Sequence, residues 1–488
     1  MVTPKRKSTR AKKKKASPAK KKAAAGGGTK EGRKARVRMY RHGVGDCHLV
    51  TLGADFHILI DCGLLQSTGK AAEAKLGEAL DDIFEETGGR IDVLVATHEH
   101  WDHLSGFLQH EAKIDRLTVG EVWMAWTEDP TDTLAKKLAG EREETVEGLK
   151  LAAEKIEAHA EALHGVDKVE QQSLAHGVKQ VLSFLAAEPS QRMTTRAMLE
   201  KVRSLAPDAP RYCRPTDPPW TSKRVPGVRI YTLGPPQDER AIKRLMVKDE
   251  VYHAADAVMA GAFRARLEGQ TDVDDTLDRL EPFEAEHRRD LEQLRELAKD
   301  PETDEPLANL LRENYFGVDP WRSIDQLWLE DAQEFALKLD NATNNTSLVL
   351  AIELGDRGRV LLFAADAQVG SWLTWQDLAW TVDGKVVKGT DLLARTVFYK
   401  VGHHGSHNAT LKAKGLEQMT SDELVAFIPV DEQMAKSKRW NGMPLPGLVS
   451  ALNKQTRNRV ARSDQPLPAN VTWAKEDSKG RYFEFEVR

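Results

Sequence analysis

Residues 91–106 read IDVLVATHEHWDHLSG, and His98, Glu99, His100, Trp101, Asp102 and His103 place three imidazoles and two carboxylates in six positions. Neutral imidazole nitrogens and carboxylate oxygens suit divalent ions such as zinc, manganese or iron. The absence of thiolates argues against a closed structural zinc site. A mostly apolar run leads into the cluster, which is how a buried strand ends in a loop that carries ligands. His98 and His100 can point one way from an extended segment, while Asp102 and His103 on the following turn reach a second point. Two ions could therefore sit side by side. The bland alternative is a surface histidine cluster before a helix, against which the tight spacing weighs.

Other stretches must bring partners to this loop. Residues 36–40 alternate enough to start a strand, Gly43, Val44, Gly45 and Asp46 form a turn, and residues 47–52 and 56–61 read as a hairpin ending in Asp61. A helix is expected over 71–89 and a strand over 117–126. Far along the chain, residues 344–352 and 359–366 read as a second strand pair around the turn cluster at 355–358. Asp366 follows the apolar run LLFAA and so emerges from a buried strand end. A carboxylate there can bridge two cations about 3.5–4 Å apart with its two oxygens. The other reading of Asp366 is an N-cap for the next helix. A strand over 397–401 delivers His403 and His404, and strands near 424–430, 471–473 and 481–487 with a helix near 448–454 close the chain.

Three motifs carry a family resemblance. HEHWDH fits the HxHxDH signature of the metallo-β-lactamase fold superfamily. RHGVGDCHLV (residues 41–50) resembles the glycine-rich opening of its ComEC-type branch, and YKVGHHGSHNAT (residues 399–410) resembles that branch's KVGHHGS block, with NNTSLVL and RVLLFAADA between them like its paired strands. The resemblance spans roughly residues 36–125 and 225–488. It implies an α/β fold, an αββα sandwich, with His98, His100, Asp102, His103, Asp366 and one or both of His403 and His404 as ligands to two divalent ions. It also implies that Asp46 and Asp61 stand behind them; a carboxylate that accepts a hydrogen bond from a ligating histidine fixes its tautomer. For Asp61, a plain strand-to-turn residue is the alternative.

The chain departs from the family opening at Arg41 and Val44, where an acidic residue and glutamine are common. Many superfamily members place a further histidine after the strand that here reads VRIYTLGP (residues 228–235). This chain, like the branch it resembles, has none. Either a water fills that position or both His403 and His404 bind, which requires the backbone to turn at Gly402 or Gly405.

The 488 residues are 40% hydrophobic, enough for a sizeable core. Residues 1–38 hold sixteen Lys or Arg and one Glu, so a tail of +15 precedes a body of −19 within a net charge of −4. A Lys-rich arm with Ala, Pro and Gly cannot bury enough apolar surface to fold, so residues 1–35 are expected to be a disordered basic tail. It could tether the protein to nucleic acid through phosphate contacts, or fold back on the acidic body. Residues 36–128 and 341–488 form the two parts of the sandwich domain. Residues 129–340 are an insertion, mainly of amphipathic helices, interrupted by a Pro-rich loop over 207–226 and the core strand near 228–235. His159, His164, His176, His253 and His287 are scattered through it at no ligand spacing. Cys47, Cys62 and Cys213 are too few for a disulfide framework. Neither a signal peptide nor an apolar run of about 18 residues occurs, so a cytoplasmic protein with no membrane contact is expected.

Two ions sharing Asp366 activate a solvent molecule for hydrolysis. The expected function is a metal-dependent phosphodiesterase, a nuclease cleaving DNA with zinc or manganese. Asp102, His404, Lys400 and His407 are the candidate catalytic residues: Lys400, His407 and whichever of His403 and His404 is not a ligand could bind phosphate or protonate the leaving oxygen. Lys400 could equally be a strand residue with a solvated head. Trp101 and Trp372 could stack bases at about 1–3 kcal/mol each, although packing is the commoner role. One alternative is a hydrolase of small phosphodiesters, esters or amides with the insertion as a lid. Another is a nucleic-acid-binding or assembly protein. A regulatory protein or protease acting on the insertion is a further expected partner.

Overall fold

The computed structural model describes residue 1 and residues 35–65, 69–162, 194–244, 291–299, 306–314, 339–437, 443–468 and 471–487, with parts of 172–183 and Ala336. The chain divides into two units, Met1–Gly32 and Arg33–Arg488. The basic tail, apart from its first and last residues, lies outside the described residues, as do His164, His176, His253 and His287.

Among the described residues, sixteen strands fall into an eight-stranded sheet, a six-stranded sheet and a hairpin. The first sheet combines β1 (Ala35–Tyr40), β2 (Cys47–Leu52), β3 (Phe56–Cys62), β4 (Arg90–Ala96), β5 (Thr118–Ala125), β6 (Arg211–Cys213), β15 (Lys475–Glu476) and β16 (Tyr482–Val487). The C-terminal strand β16 closes on β1, with Ala35 opposite Val487. The second sheet runs β14 (Val460–Arg462), β13 (Val425–Ile428), β12 (Thr396–Lys400), β9 (Arg359–Phe363), β8 (Val349–Leu354) and β7 (Val228–Gly234). β10 (Ala379–Val382) and β11 (Lys385–Lys388) pair alone.

Side chains alternate across a strand, and the alternation explains how three apolar layers arise. Val37, Val50, Ile58 and Val93 of the first sheet share one buried cluster with Ile230, Leu350, Leu361 and Phe398 of the second. The opposite face of the first sheet, Leu49, Leu59 and Leu94, packs on Leu76, Leu80 and Ile83 of α1 (Lys70–Thr87). Those three helix positions are spaced four and three apart and so form one stripe. Gly88 ends α1 in the left-handed conformation at φ 62°. The outer face of the second sheet, including Val360 and Tyr399, packs on Trp372 of α5 (Val369–Thr374), Leu392 of α6 (Gly389–Ala394) and Leu452 of α7 (Pro446–Thr456). Strands β3 to β6 pair in parallel, which accounts for runs such as FHILIDC and IDVLVA being buried on both faces.

The segment expected as an insertion is divided by two strands rather than one. β7 was legible as VRIYTLG, but β6 lies inside the stretch read as a Pro-rich loop; its three residues extend the first sheet beside β5. Beyond the short helix α2 (Trp101–Leu104) of the ligand loop, the helices α3 (Thr133–Ala162) and α4 (Thr195–Arg203) lie around them, with Leu291–Lys299 and Pro306–Asn314 further on. Arg41, a departure from the family opening, donates to the carbonyls of Ser463 and Gln465 and so fastens the C-terminal segment. Cys47, Cys62 and Cys213 are buried and free. No described helix is long and apolar enough to cross a membrane.

Candidate metal centre

β3 and β4 end side by side in one sheet, and β9 and β12 in the other. The space beyond the carboxyl ends of such strands is where α/β folds place ligands. Leu348 N–H donates to the Thr97 carbonyl at 2.8 Å and links the two sets of strand ends. Asp61 is the penultimate residue of β3, His98 follows β4, Asp366 follows β9, and His403 and His404 follow β12. The early glycine turn packs on the backbone of the ligand loop: Asp46 N–H donates to the Asp102 carbonyl at 3.0 Å. A Cβ on Gly63 would stand 2.2 Å from that carbonyl, so only glycine permits the approach. Four of the eight described non-glycine residues at positive φ are Asp61, Ala365, His403 and His404. Backbone strain is thus concentrated around the site, as it is where function over-determines geometry.

Three imidazoles, those of His98, His103 and His404, are each held by Nδ1 and turned toward one region by Nε2, and His100 joins them there. His103 donates from Nδ1 to Asp61 Oδ2 at 2.8 Å, and His404 from Nδ1 to the Pro429 carbonyl at 2.6 Å. Thr97 Oγ1 donates to Asp61 Oδ2, so its lone pairs are left to accept from His98 Nδ1 at 3.1 Å. His100 Nε2 stands 3.7 Å from Asp340 Oδ1. The inward atoms meet: His98 Nε2 lies 3.0 Å from His100 Nδ1, His404 Nε2 lies 2.8 Å from Asp102 Oδ2, and His103 Nε2 lies 3.3 Å from Asp366 Oδ2. Ligand atoms of Asp102, His103, Asp366 and His404 all fall within 4.8 Å of one another.

The charge balance asks for a cation. Asp46, Asp61, Asp102 and Asp366 are at most 2% exposed, and Lys400 is the buried lysine among them. Buried carboxylates require partners. Asp102 Oδ1 and His103 Nε2 are buried without a hydrogen-bond partner among the described residues. Burial works against the charged form of His103, yet the surrounding carboxylates of Asp366, Asp46, Asp61 and Asp102 raise its pKa well above the usual value. A proton on His103 answers the same negative field that a divalent ion would. Burial drives His98 well below its ordinary range and His100 down to about 3, which keeps both as neutral ligands. Asp102, despite burial, is lowered to about 2 by His103 and His404 and is an anion. The residues present therefore fit a divalent metal.

Residues 40–176 match the model of the metallo-beta-lactamase superfamily. Members of that superfamily are in general metal-dependent hydrolases, and the buried His/Asp cluster fits that activity. No curated protein matches the chain. The matched stretch contains Asp46, Asp61, His98, His100, Asp102 and His103; the fold adds Asp366 and His404 from the last third of the chain.

Several expected roles change once the side chains are placed. Asp366 was expected to bridge two cations with both oxygens, but Oδ1 accepts from His403 N–H at 3.0 Å and from Lys400 Nζ at 3.2 Å. Only Oδ2 is left facing the imidazoles. Nor does Asp366 cap a helix, since the N-cap of α5 is Gln368. Lys400 directs its three donors to Asp366, the Ala365 carbonyl at 2.8 Å and Asp46, so it neither reaches a phosphate nor extends a head into solvent. His404 joins the cluster, whereas His403 Nδ1 is engaged by Ser406 Oγ at 2.8 Å and Gln368 Nε2 at 3.1 Å, outside it. His407 is exposed and outside the cluster. Trp101 and Trp372 are buried, which removes them as base-stacking platforms.

The sequence reading missed Thr97, Asp340, Gln368 and Asn408, whose polar types gave no spacing signal. It also missed the role of Glu99. Between two ligands, Glu99 turns away to accept from Thr195 Oγ1 at 2.7 Å and pairs with Arg142 of α3. Burial first, then the charges of Asp102 and Asp366, raise the Asp340 carboxyl from 3.8 to about 8. The unfolded chain releases this proton near 4 while the folded protein keeps it to about 8, so metal-free stability falls with rising pH across that window. Asp340→Asn cannot ionise. In chelator-treated protein its urea midpoint, relative to wild type, is expected to rise from pH 4 to pH 8. The same substitution removes the carboxylate behind His100 and is expected to weaken divalent-ion affinity by about 10- to 100-fold, checked by titration with zinc. An unchanged midpoint difference would show that Asp340 ionises freely.

Proposed function

We propose that this chain is a metal-dependent phosphodiesterase, a nuclease acting on DNA, with an αββα core and two divalent ions of zinc or manganese. The observation that carries the hydrolase reading is the convergence of four buried imidazoles, three of them held at Nδ1, on the buried Asp102 and Asp366. His98 and His100 would hold one ion, and Asp102, His103, Asp366 and His404 the other. The ions would supply an activated solvent nucleophile and charge for the phosphoryl oxygens. The chain's own residues do the rest: Asp61, Thr97 and the Pro429 carbonyl fix the ring orientations, and Lys400 holds Asp366 so that Oδ2 faces the site. DNA as substrate is supported by the +15 tail, since each neutralised phosphate adds salt-dependent affinity, and by the ComEC-type motifs.

The test incubates the full-length protein with plasmid and short single-stranded DNA in manganese or zinc, with His98→Ala and Asp102→Ala as controls. Cutting by the wild type and neither variant is expected; cutting that persists in both would sink the assignment. Removing residues 1–35 is expected to abolish salt-sensitive DNA binding and leave the cutting rate intact. A small-molecule hydrolase is the second reading. Arg142 and Thr195 of the helical segments grip Glu99 in the ligand loop, as helices shaping a narrow pocket would. Turnover of a small ester with no DNA cleavage would favour it.

A further inference from the structure

A chain of side-chain amides leads from the end of the helical segments to the histidine that the cluster leaves out. Asn408 Nδ2 donates to Asn341 Oδ1 at 2.9 Å and to Gln368 Oε1 at 2.8 Å. With its oxygen occupied, Gln368 turns its Nε2 toward His403 Nδ1 at 3.1 Å. Ser406 Oγ lies 2.8 Å from the same nitrogen and 3.1 Å from Asn408 Oδ1. The Ser406 hydroxyl has one hydrogen, which it can turn to Asn408 Oδ1 or to Nδ1, whereas the Gln368 amide nitrogen can only donate, so the Nδ1 that faces it accepts. In a neutral imidazole the proton then sits on Nε2, because one ring nitrogen donates and the other accepts. Gln368 and Asn408 are fully or nearly fully buried, whereas the His403 ring is only partly so. Its Nε2 makes no hydrogen bond among the described residues, its backbone N–H holds Asp366, and its ring centroid is 6.1 Å from that of His404.

We propose that the Asn341–Asn408–Gln368 amide chain holds His403 as its Nε2–H tautomer, and that this N–H is the hydrogen-bond donor to a phosphoryl oxygen of a phosphodiester bound beside the cluster. The proposal rests on the phosphodiesterase reading for its ligand but not for its tautomer. A neutral donor suits this position: it contacts an anionic oxygen without adding a cation that would compete with metal for the aspartates. Gln368 and Asn408 are positioning residues and act through His403. No residue of the metal cluster is altered by testing them.

Gln368→Glu keeps shape and volume but replaces the donor with an acceptor. The carboxylate would draw a proton to His403 Nδ1 and leave Nε2 either as a lone pair facing the phosphoryl oxygen or on a charged ring. The direct test is nitrogen NMR of the full-length protein labelled at histidine nitrogen, with His403 assigned by its loss in His403→Ala. The wild type is expected to show a protonated Nε2 and bare Nδ1, and Gln368→Glu a protonated Nδ1. The second readout is hydrolysis of bis-(para-nitrophenyl) phosphate in manganese. Loss of one preorganised donor is expected to lower kcat by about 10²-fold in either single variant, with the thermal midpoint and bound metal retained. The double variant is expected to be no slower than His403→Ala alone, because one residue acts through the other.

A wild-type His403 protonated at Nδ1 would overturn the tautomer assignment. Additive losses in the double variant, or single variants as fast as wild type, would overturn the donor role while leaving the phosphodiesterase reading intact. A wild type with the expected tautomer that cleaves no phosphodiester would overturn both the ligand and that reading.

Discussion

Asp366→Ala is expected to cost the protein its divalent ion at the Asp102–His103–His404 end of the site and at least about 10³-fold in hydrolysis, the scale on which one member of an interdependent catalytic set is felt. Asp366 Oδ2 stands 3.3 Å from His103 Nε2, closer than Asp102 Oδ2 at 3.9 Å, and 3.9 Å from His404 Nε2. No neighbouring carboxylate can replace it, because Asp46 is engaged by Lys400 and Asp61 by Thr97 and His103. Removing Asp366 also removes the main raiser of the His103 pKa, leaving burial, which lowers it, with three aspartates in opposition. The His103 proton of the metal-free protein should therefore titrate at a lower pH in the variant. Elemental analysis of protein purified without chelator gives the metal content, and NMR titration of His103 gives the proton affinity. Full metal content with wild-type turnover would show that Asp366 is only a backbone anchor for His403.

Half of this site was visible as a string of letters and half was not, for a physical reason. HEHWDH lies on a single loop, so local spacing exposes the ligands directly. FHILID and LLFAAD are apolar runs that lead to a carboxylate, and burial of the strand leaves Asp61 next to last in β3 and Asp366 just beyond β9, both at the sheet's rim. What no spacing could show is the pairing across the chain, as between His404 and Asp102, which are 302 residues apart. Lys400 illustrates the limit. A lysine after an apolar strand has a usual reading, a solvated head; only the convergence of Asp46 and Asp366 from different sheets turns the head inward. The same applies to Gln368 and Asn408, amides whose work depends entirely on what faces them. Strand β6 was lost because three residues among prolines carry no period.

Lys400→Met should destabilise the metal-free protein by roughly 3–5 kcal/mol, the usual result of removing one partner from a buried ion pair. The methylene stem is kept, so packing changes little; the charge alone is lost, and Asp46 and Asp366 remain buried with one fewer cation. Asp46 and Asp366, followed by a hydrogen bond to Asp46, outweigh burial and raise the lysine's pKa above its ordinary 10.5. A raised lysine pKa contributes stability that is fully present below the unfolded value and is lost only as pH rises through the higher folded value. The wild-type contribution is therefore complete at pH 7. Against the opposing effect of burial, His103 and then Lys400 hold Asp366 well below the ordinary carboxylate range, so in the variant Asp366 takes up a proton more readily and the deficit should shrink toward pH 4. A divalent ion supplies positive charge to the same carboxylates, so zinc should raise the unfolding midpoint of the variant by more than that of wild type. Urea titrations at pH 7 and pH 4, each with zinc and with chelator, separate these effects. A deficit that stays constant across all four conditions would mean that Lys400 contributes through packing, and that the aspartates around it do not form the negative centre on which metal binding depends.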